Sequence, residues 1–301
     1  MKRQTKDKLV FWLFLSPALI SFIIVVIVPF FMGIYYSMTD WQAVPGIPVN
    51  WVGLGNYRSM FSDIKFQYSL FRTFTFTLIS VITINLVALI FAFLVTREIK
   101  FRNFFRAGFF IPNLIGGLVL GYIWQFIFKS VVPQIGGSLG IDFIENLLIL
   151  ANPDLTLIGL ITAYTWQYAG YIMMIYVAAL LNVPQELLEA SEIDGANSWH
   201  KFKSITMPMI AQAFTITSFL TLVTSFKQYD IIVALTNGGP TDIFKGEVVN
   251  STEMLAVHIY NVAFKYNNMA EGQARAVIFF LILSVVSIAQ VYNNKKKEIE
   301  M

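Results

Sequence analysis

Six long apolar runs constrain this chain more than any other feature. They lie at about Leu9–Tyr36, Phe71–Thr96, Ala107–Phe128, Leu157–Leu181, Ala211–Leu235 and Ala274–Tyr292. At about 1.5 Å of rise per residue, each can cross a hydrocarbon core of about 30 Å as a helix. A bilayer offers no water to an unpaired backbone group, so a spanning segment is either helical or part of a closed barrel. Barrel strands alternate apolar and polar residues, and these runs do not. Charged residues make up 13% of the 301 and hydrophobic ones 56%, whereas a soluble domain carries about 25% charge. The expected fold class is all-α: a polytopic membrane protein of about six transmembrane helices, with residues 1–301 forming a single transmembrane domain.

The first run follows Lys2, Arg3, Lys6 and Lys8. It is longer than the apolar region of a signal peptide, and no small-x-small site closes it, so it reads as a retained anchor. Pro17 and Pro29 are expected to bend it. Six spans put both termini on one side. That side collects 13 of the 21 Lys and Arg residues and the other side 8, so the termini are expected to be cytoplasmic. The external connections, about Thr39–Leu70, Ser130–Thr156 and Thr236–Gln273, are long for simple linkers. Docking of an external partner and folding back onto the helix ends both account for their length.

Several chemistries find no support. The chain has no cysteine, and its two histidines, His200 and His258, are far apart in sequence. It contains neither a His-Glu-x-x-His helix nor a glycine-rich phosphate loop ending in Lys-Ser/Thr. No catalytic residue and no metal site is expected, and any ATP involved must be bound by another chain. A net charge of +3 is too weak a bias to suggest nucleic acid as a partner.

The cytoplasmic stretch 183–209 is richer than a connection needs to be. Pro184 suits a helix start, Glu186 and Glu189 suit the positive end of a helix dipole, and Gly195 is a natural stop. Asn197 or Ser198 can cap a second short helix that carries His200, Lys201 and Lys203, with Trp199, Phe202 and Ile205 as an apolar stripe. Pro208 then ends or kinks it. Such a pair of helices fits a groove on a partner; it equally fits the membrane surface.

The same stretch resembles the EAA loop of ABC-importer permeases, whose pattern is Glu-Ala-Ala, three residues, Gly, nine residues, then Ile-x-Leu-Pro. Glu189, Ala190 and Ser191 stand at the first three positions, followed by Gly195, Ile205, Met207 and Pro208. Ser191 and Met207 depart from the pattern by small changes of volume. Ile193-Asp194-Gly195-Ala196, Trp199-His200-Lys201-Phe202, Trp51 to Tyr57 and Leu235 to Pro240 resemble the carbohydrate-uptake branch. The likeness extends over nearly the whole chain. It implies a type I ABC-importer permease fold in a bacterial plasma membrane. Glu189, Ala190, Ser191, Asp194, Gly195, Ile205 and Pro208 would engage an ATPase subunit. The implied partners are a second, different permease chain, two copies of the ATPase that bind ATP and magnesium, an extracellular sugar-binding protein and the lipid bilayer.

Polar residues inside spans are expensive and are candidates for function. Tyr164, Gln167, Tyr168 and Tyr171 share one helical face of the fourth run. Thr217, Thr221, Thr224, Ser225 and Gln228 share one face of the fifth. Aromatic rings beside hydroxyls and amides suit a sugar, so these faces are expected to line a substrate path. Serine and threonine also bond to their own helix or glue neighbouring helices. Gly117 and Gly121 are expected to allow close packing. A secondary active transporter for a small polar solute is the alternative function. It would want ionisable groups near the span centres, where the sequence has none.

Overall fold

The computed structural model describes residues 3–97 and 100–295. Lys2, Lys296 and Lys297, counted above toward the cytoplasmic side, lie outside the described residues. The described chain is helical almost throughout and divides into two compact units, Met1–Asp63 with Ile259–Phe280 and Ile64–His258 with Leu281–Met301.

The first unit opens with α1 (Arg3–Phe22), which runs through a π-turn at Ile23–Ile27 into α2 (Val28–Ser37). The turn comes just before Pro29 for a physical reason. A proline inside a helix lacks the N–H that would bond four residues back, and its ring crowds that carbonyl. One widened turn absorbs both problems. The chain repeats this device. The π-turns Ile127–Val131 and Phe202–Thr206 each end two residues before a proline, Pro133 and Pro208. Next comes α3 (Gly55–Ser62). The Asn56 amide donates to the carbonyls of Ser37 (2.9 Å) and Thr39 (2.8 Å), and Tyr57 Oη bonds Ser37 Oγ at 2.6 Å. The segment Trp51–Tyr57 therefore closes the C-terminal end of α2. In the same unit the buried Arg275 guanidinium bonds Asp63 and Glu271, each at 2.9 Å.

The second unit begins with α4 (Ile64–Thr96) and α5 (Arg102–Phe110), then a 3-10 turn at Ile111–Leu114 and α6 (Gly117–Phe126). After these come α7 (Val132–Leu139), α8 (Asp142–Glu145), α9 (Pro153–Leu181), α10 (Gln185–Ile193), α11 (Ser198–Lys201), α12 (Met207–Met209), α13 (Ala211–Phe226) and α14 (Asp230–Thr236). A hairpin, β1 (Thr241–Phe244) and β2 (Glu247–Asn250), precedes α15 (Leu255–Tyr260), and the last helix is α16 (Met269–Lys295). The core is the α4–α9 seam. There Phe76, Ile84, Ala88 and Ala92 of α4 and Leu160, Tyr164, Ile172, Met173 and Tyr176 of α9 lose essentially all exposure. Asn152 caps α9, accepting from the amides of Asp154 (2.9 Å) and Leu155 (3.2 Å).

By length and composition, four described helices can each cross a membrane: Val10–Ser37, Ile64–Thr96, Gly117–Leu139 and Met269–Asn294. Two bent pairs pass together and raise the number to six. Pro153–Leu181 meets Gln185–Ile193 at 67°, and Ser198–Met209 meets Ala211–Phe226 at 70°. The expected third run, Ala107–Phe128, is not one helix. The chain turns at Pro112 and is extended at Ile115 and Gly116, so the continuous apolar helix starts ten residues later. The expected fifth run also breaks, at Lys227–Tyr229, and Asp230 starts α14, where a carboxylate suits the helix dipole. Gly117 and Gly121 do pack closely. A Cβ on Gly117 would come within 2.9 Å of Asp230 Cβ, and one on Gly121 within 3.2 Å of Leu235 N.

Among the described residues, the named strands form one antiparallel hairpin that pairs Thr241 with Asn250 and Phe244 with Glu247, and an isolated bridge joins Thr39 and Trp51. The hairpin's two turn residues, Lys245 and Gly246, both have positive φ, the conformation that matches strand twist across a tight turn. The segment around it folds back. Arg72 Nε donates to Ser251 O at 2.8 Å, Thr252 Oγ1 to Gly239 O at 2.8 Å, and Leu255 N to Thr73 Oγ1 at 2.8 Å.

Candidate functional site: the loop between α9 and α13 and the polar faces beside it

Pro184 stands immediately before α10 rather than inside it. Helix α10 stops at Ile193, and Gly195 turns the chain with φ of +77°, a left-handed conformation that costs an ordinary residue about 1–2 kcal/mol. Asn197 Oδ1 accepts the His200 amide at 2.8 Å and so caps α11. Lys201 of α11 forms an ion pair with Glu192 of α10, which ties the two short helices across the glycine. Ser191 Oγ donates to Leu188 O at 2.7 Å. Glu189, Ala190, Asp194 and Gly195 are exposed, while Ser191, Ile205 and Pro208 are half-buried.

The expected aromatic stripe divides its work. Phe202 packs edge-on against Phe93 of α4 (ring centroids 5.7 Å), and Ile205 packs on the core. Trp199 stacks beside Phe202 but remains 68% exposed, and Ile193 is 88% exposed.

The two polar faces meet inside the second unit. On α9, Tyr164 is fully buried against Phe76 (5.2 Å) and Tyr168 (4.6 Å). Gln167 is buried; its Nε2 donates to Ile115 O at 3.0 Å and its Oε1 has no partner. Tyr168 and Tyr171 keep partial exposure. On α13, Thr217, Thr221 and Ser225 are buried, as is Gln228 just beyond its end, and Thr224 is half-buried. Thr217 and Thr221 bond to neighbouring helices. Thr217 Oγ1 donates to Tyr176 Oη and Asn85 Nδ2 to Thr221 Oγ1, at 2.8 and 3.0 Å. Sequence reasoning passed over Asn85 and Tyr176. The one amide within the α4 run was the available signal. Gln125 is occupied too, donating to Leu235 O at 3.0 Å.

Comparison with known proteins agrees with this architecture. Residues 84–298 match the family described as binding-protein-dependent transport system inner membrane component. The probable starch degradation products transport system permease protein AmyD of Thermoanaerobacterium thermosulfurigenes is 45% identical over 98% of this chain and 97% of its own length. The multiple sugar-binding transport system permease protein MsmF of Streptococcus mutans is 32% identical over 99% of each chain. Among solved structures, a chain of a bacterial alginate ABC transporter, in complex with its alginate pentasaccharide-bound periplasmic protein, superimposes with a TM-score of 0.78. That match has 18% identity and covers 96% of this chain and 94% of that one. The motifs at Glu189–Pro208 and Trp51–Tyr57, the helical fold and these relatives agree: the chain belongs to the binding-protein-dependent transport system inner membrane components, as a multi-pass ABC-importer permease of the carbohydrate-uptake branch.

Proposed function

We propose that this chain is one half of the translocation path of an oligosaccharide importer and that α10 and α11 are its coupling element. The carrying observation is the exposed apolar pair Ile193 and Trp199 on a loop rigidly set by Gly195, Asn197 and the Glu192–Lys201 ion pair. In this reading Glu189, Ala190, Ser191, Asp194, Gly195, Ile205 and Pro208 form the surface and hinge that seat in a cleft of the ATPase. Two ATPase copies bind ATP and magnesium, so this chain needs no cofactor of its own. A second, different permease chain completes the path, an external sugar-binding protein delivers cargo, and both termini are cytoplasmic. The relatives' names, starch degradation products and multiple sugars, support a sugar as cargo.

The substrate path runs along the parts of the polar faces that stay accessible. Tyr168, Tyr171 and Thr224 offer rings and a hydroxyl; Gln167 lies buried beside them, its unpartnered Oε1 turned into the packed face. Tyr164, Thr221, Ser225 and Gln228 form the packed wall behind them. The span centres lack the charges an acidic sugar or an ion-coupled carrier would need.

The test is uptake in proteoliposomes holding the reconstituted complex. Gly195→Pro and Glu189→Lys should leave the chain inserted but break the link between ATP hydrolysis and uptake. Normal transport by both variants would sink the coupling role.

A further inference from the structure

The sequence places one amide in the middle of α4, and the structure makes it the centre of a closed hydrogen-bond circuit. Thr217 Oγ1 donates to Tyr176 Oη at 2.8 Å. Tyr176 Oη donates to Asn85 Oδ1 at 2.8 Å. Asn85 Nδ2 donates to Thr221 Oγ1 at 3.0 Å. Thr221 Oγ1 returns to the Thr217 carbonyl at 2.8 Å. The donations run in one direction around the ring, with Phe214 O (3.1 Å) and Ser218 O (3.2 Å) as longer alternative acceptors for Thr217 Oγ1 and Thr221 Oγ1. The second Asn85 N–H goes to Val81 O at 2.8 Å, which fixes the orientation of the amide because a carbonyl can only accept. All four side chains are buried. Hydrogen bonds in such a low-dielectric chain polarise one another and are costly to break singly.

The three helices in the circuit are not equivalent. Helices α9 and α13 enter and leave the loop, whereas α4 does not touch it in sequence. Tyr176 sits five residues before the end of α9 and Thr217 six residues into α13, within roughly 10 Å of the loop ends at 1.5 Å per residue. Asn85 joins α4 to both loop-bearing helices, through Tyr176 of α9 and Thr221 of α13, and Thr83 adds a second bond from α4 to α9, at Thr165 Oγ1 (2.9 Å). Asparagine is the residue the site requires. Its amide donates twice and accepts once; aspartate cannot donate, and leucine can do neither.

We infer that Asn85 is a positioning residue for transport: through Tyr176, Thr217 and Thr221 it locks α4 to both loop-bearing helices, so that all three move as one body when the loop is displaced. This rests on the coupling role proposed for α10 and α11. Packing at Ala88 and Ala92 and the Thr83–Thr165 bond hold α4 to α9, and Asn85 adds the hydrogen-bonded tie to α13.

The experiment uses the full complex in proteoliposomes, with radiolabelled maltooligosaccharides as probe. It compares Asn85→Leu, Thr221→Val, Thr221→Ser and Gly195→Pro, each checked for co-purifying ATPase. Thr221→Val removes the hydroxyl at nearly constant volume and should raise the ATP consumed per sugar imported by roughly fivefold, with Thr221→Ser restoring it. Asn85→Leu should raise it further. A second readout needs no sugar. The chain has no native cysteine, so spin labels can be placed on the exposed positions Leu94 of α4 and Leu181 of α9. Their separation should stay constant between the resting and vanadate-trapped states in wild type and split into two populations in Thr221→Val. An unchanged ATP-to-sugar ratio with a constant label separation in Thr221→Val, or equal loss in Thr221→Val and Thr221→Ser, would overturn the inference. If Asn85→Leu fails to assemble, the Thr221 pair decides alone. Gly195→Pro separates the two readings: normal uptake there removes the coupling role itself, whereas uncoupling there with normal Thr221→Val removes only the lock.

Discussion

Arg72 Nε donates to the Ser251 carbonyl at 2.8 Å, joining α4 to a backbone group 179 residues later. The same guanidinium reaches Pro153 O at 3.3 Å and lies over the Tyr68 ring at 5.4 Å. One buried cation thus holds the hairpin segment and the N-terminus of α9 against the start of α4. Folding back onto the helix ends, one of the two explanations for the long Thr236–Gln273 connection, accounts for this part of it.

Removing that cation should loosen the segment without unfolding the spans. Charged hydrogen bonds of this kind contribute about 1.5–3 kcal/mol each. Arg72→Ala should therefore lower thermal stability in detergent and make residues 236–254 a new site of proteolysis. Arg72→Lys has one compact ammonium in place of a planar fork and should recover only part of the loss. An unchanged cleavage pattern in Arg72→Ala would show that the hairpin is held by its other contacts.

Two glycines that look alike in sequence should respond in opposite ways to alanine. A Cβ on Gly170 of α9 would collide with the Phe109 carbonyl and come within 2.9 Å of Phe110 N, so Gly170→Ala must push α5 and α9 apart. Overpacking of this kind costs about 1–3 kcal/mol or more. Gly108 of α5 has nothing within 4 Å of an added Cβ, and alanine is favoured over glycine in a helix by about 1 kcal/mol. Gly108→Ala should be neutral or stabilising. Thermal unfolding of the two purified variants checks the contrast, and similar midpoints would contradict the close approach of α5 to α9.

Those glycines also mark where sequence reading reached its limit. Apolar run length exposed the helical class, because a bilayer permits so few alternatives. The loop was legible because Gly195, Asn197 and Pro208 each have one dominant structural use. Bends were expected at Pro17 and Pro29, yet α1 runs through Pro17, and the widened turns before Pro29, Pro133 and Pro208 follow from where the displaced carbonyl can go. Run length carried the expected spans through the breaks at Gly116 and at Lys227–Tyr229, although Pro112, Lys227 and Asp230 mark them in the sequence. The fate of the threonines was not legible. Face periodicity grouped Thr217 and Thr221 with Thr224, but only the positions of Asn85 and Tyr176 on other helices decide that the first two bond across helices while Thr224 bonds back to Leu220 O of its own.

That division sets apart three residues of the α9 face. Tyr164 is wholly buried against Phe76 and Tyr168, so Tyr164→Ala should open a cavity and destabilise the chain by about 3–5 kcal/mol. Tyr171 is only half-buried, so Tyr171→Ala should cost far less stability. If the accessible part of the face touches sugar, Tyr171→Ala should instead weaken uptake by roughly tenfold, the worth of one lost ring contact. Gln167→Ala removes both the acceptor and the bond to Ile115 O, so it should reduce both quantities. Measuring melting temperature and initial uptake rate on the same preparations separates packing from recognition. A Tyr171→Ala variant with normal stability and normal uptake would assign the whole face to helix packing and move the cargo contacts to the partner permease.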